Sequence, residues 1–279
     1  MFDKIVEIRG ILKEKNPLIH SITNPISINQ CANAIIAVGA KPIMAEHPQE
    51  VADITKTADA LMLNLGNITD VRMQSMLNSA ECANDNNIPF VIDVVGIACS
   101  QLRRNYAYNL LQKYKPAVIK GNYSEINALY NSEYSSAGVD SDITLDKESI
   151  SQIAYKLAKK YNTIILASGK VDIVTDGDKI IHIKNGTHQL SCVTGTGCMQ
   201  GALCSCYISS CKDIMAVVCA CVVMGICGEL SQTDKGNGTF MVNLMDNLST
   251  LSNENIEKYM NVEEYEFEKS WYNTLFYYW

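Results

Sequence analysis

The strongest constraint on this chain is an alternation that runs through most of its length, with short β-branched runs separated by stretches of helical period. PFVIDVV at 89–95, AVIKGN at 117–122 and TIILASG at 163–169 are apolar at consecutive positions, the pattern of strands covered on both faces. ALMLNLG at 60–66 reads the same way despite its Leu and Met. The stretches 69–85, 102–114, 123–130 and 146–160 read as helices, the last opened by Asp146 as an N-cap with Glu148 in its first turn. Such alternation predicts βαβ units and a mostly parallel α/β sheet. VDIVTDGDKIIHI at 171–183 differs, because two short strands around Asp176-Gly177-Asp178 predict a hairpin. Beyond it only helices are expected, at 196–211, 213–230 and 240–251. No linker-like run and no internal repeat interrupts the chain, so a single domain is expected over residues 1–279. The polar stretch 131–142 is expected to be a surface loop. The tail 253–279, acidic and then SWYNTLFYYW, is expected to pack its aromatics on its own domain or on a neighbouring subunit.

Composition narrows the function classes. A net charge of −7 argues against a non-specific nucleic-acid binder or a polybasic membrane-surface protein. An anionic substrate then needs a local cationic or backbone N–H site. The longest apolar run, 214–228, falls short of the ~20 residues that span a bilayer and reads as a buried helix. The chain has 11 cysteines and four histidines, with no Cys-x-x-Cys pair. The N-terminus is charged and lacks an apolar signal core, so most of the cysteines, Cys198 excepted, read as small hydrophobes in a reduced, cytoplasmic setting.

The sharpest motif is VTGTGCMQGA at 193–202. Gly195 and Gly197 flank Thr196, and an apolar helix follows. Glycines let backbone N–H groups approach a ligand, and the helix adds free N–H groups and the positive end of its dipole. Together these make an anion site, although Gly-x-Gly before a helix is often only a turn. The motif is neither a Walker A loop nor Gly-x-Gly-x-x-Gly, since residue 200 is Gln. Asp93 stands inside a buried strand pattern, where an unpaired carboxylate is costly and where α/β sheets bind ligands. In IKGNYSEI, Lys120 is suited to a phosphate, and Asn122 and Glu125 to Mg²⁺ directly or through water; simple charge compensation at a helix N-terminus is the plainer reading of Glu125. The stretch 18–50 is rich in small, apolar and amide residues and ends near Met44, whose thioether can pack on an aromatic ring or simply fill core.

Taken together, these residues resemble the hydroxyethylthiazole kinase family of the ribokinase-like superfamily. ITNP with Asn24, AVGAKPIMAE with Met44, LNLGN, VIDVVG, IKGNYSEIN and VTGTGCMQGA stand in family order at family spacing, over roughly residues 15–251. The glycine loop alone marks the superfamily; ITNP with PIMAE marks the thiazole branch. The resemblance implies a three-layer αβα fold with a mostly parallel central sheet. It implies transfer of the ATP γ-phosphoryl to the alcohol of 4-methyl-5-(2-hydroxyethyl)thiazole with Mg²⁺, in thiamine salvage. By resemblance Met44 and Gly195 contact the thiazole, Asn24, Gly66 and Asn67 line the same cleft, Lys120, Ser168 and Asn122 serve ATP, and Asp93 and Glu125 organise Mg²⁺. The amides of Gly195, Thr196, Gly197 and Cys198 would cradle the transferring phosphoryl. Family members are trimers with the thiazole site between subunits, so a homotrimer is expected.

One residue sets this branch apart from the wider superfamily, and two others depart from the family pattern. Cys198 occupies the place where sugar kinases of the superfamily carry an Asp base; the thiazole branch carries Cys. A helix N-terminus lowers a thiol pKa and phosphates raise it, so the net sign stays open. Ser168 replaces a common Thr, and Gly236-Asn237-Gly238 replaces the more usual Gly-Pro-Gly. Rival readings are a superfamily dehydratase that repairs hydrated nicotinamide cofactors, a non-catalytic sensor, and a pyrimidine or pyridoxal kinase. Cys198 and PIMAE argue against the first, the trio Asp93, Glu125 and Lys120 against the second, and pocket shape alone separates the third.

Overall fold

The computed structural model describes residues 1–133 and 145–266. Most of the expected loop at 131–142 and the aromatic end of the tail lie outside these residues. In chain order the elements are α1 (Phe2–Lys15), β1 (Leu18–Ile22), α2 (Ile28–Val38), β2 (Lys41–Ile43), α3 (Val51–Thr57), β3 (Ala60–Asn64), α4 (Asp70–Asp85), β4 (Phe90–Asp93), α5 (Gln101–Lys113), β5 (Val118–Asn122), α6 (Tyr123–Tyr130) and α7 (Lys147–Tyr161). Then follow β6 (Ile164–Ser168), β7 (Asp172–Thr175), β8 (Lys179–Ile183), a 3₁₀ turn at His188–Cys192, α8 (Thr196–Ile208), α9 (Ile214–Leu230), α10 (Asn237–Thr250), α11 (Asn253–Tyr259) and β9 (Val262–Glu266).

The strands form one sheet of order β2-β1-β3-β4-β5-β6-β7-β8-β9. Pairing is parallel from β2 through β6 and antiparallel from β6 to β9. Successive side chains along a strand point to opposite faces, and both faces here are apolar. Met62, Val91, Val118 and Leu166 join a core with α1, α2, α8, α9 and α10. Their neighbours Leu61, Ile92, Ile119 and Ile165 join a second core with α4, α5, α6 and α7. The result is the expected three-layer αβα arrangement. The apolar run at 214–228 is the buried helix α9. Among the described residues no helix is long and apolar enough to cross a membrane.

The hairpin forms as read, with Gly177 at φ +88° and Asp176 Oδ1 accepting from the amides of Asp178 and Lys179. The expectation of helices alone beyond it is corrected by β9, which pairs antiparallel with β8. Its sequence, VEEYE, carries no apolar period. Cross-strand charge holds this edge instead: Lys179 pairs with Glu264 at 3.4 Å, Lys184 with Glu263, and the Tyr265 ring lies 4.6 Å from His182. Asn185 anchors the approach to the strand, accepting from the Asn261 amide and donating to the Tyr259 carbonyl.

Gly225 of α9 lies against Asn185, where an added Cβ would stand 2.6 Å from Asn185 Cβ and 2.7 Å from its carbonyl carbon and oxygen. Backbone there cannot swing aside as a side-chain end can. Gly225→Ala is expected to destabilise the protein by about 1–3 kcal/mol through overpacking. Thermal denaturation checks this, and an unchanged Tm would show that the contact has slack.

Candidate functional site

The site gathers where the parallel strands end. Register sets Asn64 opposite Asp93, and Asp93 opposite Lys120, so three polar residues form one row across β3, β4 and β5. They share parity with Met62, Val91 and Val118, and therefore point toward the layer that contains α8. All three are buried. The cost of burying polar groups is offset by mutual contacts. Lys120 Nζ donates to Asp93 Oδ2 at 3.0 Å. Burial works against the Lys120 charge, but Asp93 and Glu125 hold its pKa above the usual lysine value.

Asn64 was not singled out by sequence reasoning, although an amide inside an otherwise apolar buried strand is a signal. Its Nδ2 donates to Cys198 Sγ at 3.4 Å and its Oδ1 accepts from the Gly66 amide at 2.8 Å. It thus joins the β3–α4 turn to the glycine loop. Asn24 reaches the same place, since its Nδ2 lies 2.6 Å from where a Gly66 Cβ would stand. Asn67 follows in the left-handed region at φ +54°.

The glycine loop crosses the row. Gly195 has φ +91° and caps α8, with Ser27 Cβ 3.1 Å from its missing side chain. A Cβ on Gly197 would stand 3.8 Å from Lys120 Nζ, and one on Gly201 would stand 3.6 Å from Asp93 Oδ2. The first two turns of α8 therefore lie directly on the Asp93–Lys120 pair. The thiol of Cys198 is pushed up from its usual pKa, first by burial and then by Asp93, against lowering contacts from Ser27, Lys120 and Asn64. In the free protein tertiary packing thus sets the direction, burial and Asp93 favouring the protonated thiol.

Glu125 sits at the start of α6 in a capping box with Asn122. Asn122 Oδ1 accepts from the Glu125 amide at 2.9 Å, and Glu125 Oε2 accepts from the Asn122 amide at 2.7 Å. The plain helix-terminus reading is therefore part of the truth. Glu125 Oε1 also accepts from the Gly96 amide at 2.7 Å, beyond β4. Burial first, and then repulsion from Asp93, raise its pKa to about 7, against those amide bonds and Lys120.

Two expected residues stand apart from this row. Ser168 ends β6 opposite Asn122, with Oγ 3.4 Å from the Gly121 carbonyl. Behind it the buried Asp172 accepts from the Gly169 amide at 3.0 Å and from Gln200 of α8 at 2.5 Å. Met44 follows β2 at the far edge of the sheet, half-buried against the α2 and α8 layer. The Gly236–Asn237 turn is anchored by Asn237, which donates to the Cys192 carbonyl at 2.9 Å.

Asp93 and Glu125 form an all-carboxylate donor set whose charges repel each other at the strand ends. Such oxygen pairs suit a hard divalent cation that takes its other ligands from phosphate and water. Among the described residues no group of three or more His, Cys, Asp or Glu could hold a metal by itself.

Comparison with known proteins gives the family and the fold. A family model for the hydroxyethylthiazole kinase family matches residues 10–254. Hydroxyethylthiazole kinase 2 of Clostridium botulinum strain Hall is 48% identical over 266 residues, covering 93% of this chain and 100% of the relative. The hydroxyethylthiazole kinase of Finegoldia magna is 40% identical over 266 residues, covering 95% of this chain and 98% of the relative. A hydroxyethylthiazole kinase protein from Pyrococcus horikoshii OT3 superposes with TM-score 0.87 at 32% identity, over 95% of this chain and 100% of that one. A pyridoxal kinase from Staphylococcus aureus shares the fold at TM-score 0.63 and 14% identity, over 90% of this chain and 98% of that one.

Proposed function

The chain belongs to the hydroxyethylthiazole kinase family, and from that premise we propose how its own residues carry the reaction. The enzyme phosphorylates the alcohol of hydroxyethylthiazole with ATP, in thiamine salvage. The observation that carries the site assignment is the row Asn64–Asp93–Lys120 lying under the glycine loop. One continuous sheet layered by helices also supports reading the chain as a single domain.

Phosphoryl transfer asks for positioning and charge neutralisation more than for covalent chemistry. The amides of Gly195, Thr196, Gly197 and Cys198, at the N-terminus of α8, cradle the transferring phosphoryl. Lys120 adds a fixed cation at the cradle's floor, held in place by Asp93. Ser168 and Asn122 face the nucleotide from neighbouring strand ends. Asp93 and Glu125 would hold Mg²⁺, which when bound neutralises phosphate charge. Asn24, Met44, Gly66 and Asn67 line the thiazole pocket, with Gly195 closing it. We propose a homotrimer, as the family resemblance implies; an open groove of about 530 Å³ between α2 and α10, lined in part by Gln30, Ile36 and Met241, offers a face for a second copy. Ile26, Ile36 and Val242 are exposed apolar residues on those helices or beside them. We read the enzyme as cytoplasmic.

A neutral thiol is a poor base, so Cys198 leaves the alcohol to lose its proton with little help. General-base catalysis typically contributes about 10² to 10⁴-fold. Cys198→Asp is therefore expected to keep or raise turnover, measured with Tm as the folding control. A tenfold drop at unchanged Tm would sink the idea. The reaction itself is tested by ADP release with ATP, Mg²⁺ and hydroxyethylthiazole, with hydroxymethylpyrimidine and pyridoxal in parallel. Thiazole-dependent turnover is expected. Release with another alcohol alone would move the pocket assignment while keeping the phosphate site.

A further inference from the structure

Residues 44–48 have no regular structure, yet they carry Met44 between β2 and α3. Side chains from elsewhere pin this strap at three of its carbonyls, those of Ala45, Glu46 and Pro48. His20 of β1 places Nε2 2.9 Å from the Ala45 carbonyl and Nδ1 2.8 Å from Thr55 Oγ1. A carbonyl only accepts, so Nε2 carries the proton and Nδ1 accepts from Thr55. On α4, Ser75 Oγ lies 2.7 Å from the Glu46 carbonyl, and Asn78 donates to the Pro48 carbonyl at 2.9 Å. Arg72 joins them from the preceding turn of the same helix face.

Arg72 differs from the other pins because it reaches two structures. Its Nε pairs with Glu46 Oε2 at 3.2 Å, and its Nη1 donates to the Asn67 carbonyl at 3.3 Å. The guanidinium is buried, and among the described residues neither Nε nor Nη2 has a hydrogen-bond partner, so the Glu46 contact is an ion pair by proximity and the Asn67 carbonyl is the hydrogen-bonded partner. A buried cation on a helix is costly unless its place is held by more than one partner. The guanidinium is a rigid fork, so the separation of its two partners is set by its own geometry.

We propose that Arg72 is a positioning residue for the acceptor alcohol, spacing the Met44 strap from the Gly66–Asn67 turn. The inference rests on those two segments being walls of the thiazole pocket. Among the described residues no hydrogen bond or ion pair joins Arg72 to the glycine loop or to the Asp93–Lys120 pair, so its effect is expected on the acceptor side. A lysine offers one point charge where arginine offers a fork, so it can hold one wall and not both.

The test is steady-state kinetics of full-length Arg72→Met, Arg72→Lys and Glu46→Gln, with hydroxyethylthiazole and with hydroxymethylpyrimidine. Arg72→Met is expected to raise the thiazole KM at least tenfold, to lower discrimination between the two alcohols, and to leave the ATP KM within twofold. Arg72→Lys should recover part of the loss. Glu46 is half-exposed, so Glu46→Gln removes the charge of that ion pair with little folding risk and should raise the thiazole KM about threefold. It reads the same split if Arg72→Met fails to fold. Equal movement of the ATP and thiazole KM values, or no movement of either in a folded variant, overturns the proposal. A wild-type enzyme that releases no ADP with any alcohol overturns the functional reading instead.

Discussion

Lys120→Ala should cost this enzyme both nucleotide affinity and stability. The substitution removes the cation beneath the glycine loop and leaves Asp93 buried with no counter-charge. Breaking one side of a buried pair costs about 3–5 kcal/mol. The loss of a phosphate contact is expected to raise the ATP KM at least tenfold and to lower kcat/KM for ATP about 100-fold. The two losses are separable. Lys120→Met combined with Asp93→Asn removes both charges and should return most of the Tm without returning ATP affinity. Unchanged ATP affinity in a folded Lys120→Ala protein refutes the phosphate contact.

Glu125 predicts a pH dependence of the opposite sense to that of an ordinary surface carboxylate. Its folded pKa is raised from 4.5 to about 7, so between those values the folded state holds a proton that the unfolded state has lost. Stability therefore falls as pH rises through this window, by up to about 3 kcal/mol, and levels off above it. Below 4.5 both states are protonated and the penalty is absent. Melting curves from pH 4.5 to 8 without divalent cation should show this slope in wild type and its loss in Glu125→Gln. The variant's Tm is lower overall, because an amide cannot accept from both Gly96 and Asn122, so the slope is the readout. Mg²⁺ should flatten the wild-type slope by offsetting the carboxylate charge. Identical slopes in the two proteins would show that Glu125 does not titrate in this range.

Both predictions depend on contacts that the sequence only partly announced. The strands at 60–66, 89–95, 117–122 and 163–169 were legible because burial on two faces leaves an unbroken apolar run. The glycine loop was legible because only glycine suits the φ +91° of Gly195. Edge strand β9 was not, since a half-exposed strand held by ion pairs has no apolar period to read. The first 59 residues, with α1, β1, α2, β2 and α3, also escaped an element-by-element reading, although their motif was recognised.

Local pattern thus determined the layered α/β architecture, the family and most of the residues that meet at the site, because strand periodicity and glycine conformation are properties of short segments. Tertiary structure decided the chemistry of those residues. Register between separate strands placed Asn64, Asp93 and Lys120 in one row, and joined Asn64 to Cys198 across 134 positions of sequence. Burial together with Asp93 raised the Cys198 thiol and the Glu125 carboxyl, and α4 pinned the strap that carries Met44. Charge and desolvation act through space, so the protonation state of a site emerges only when distant segments share one dielectric environment.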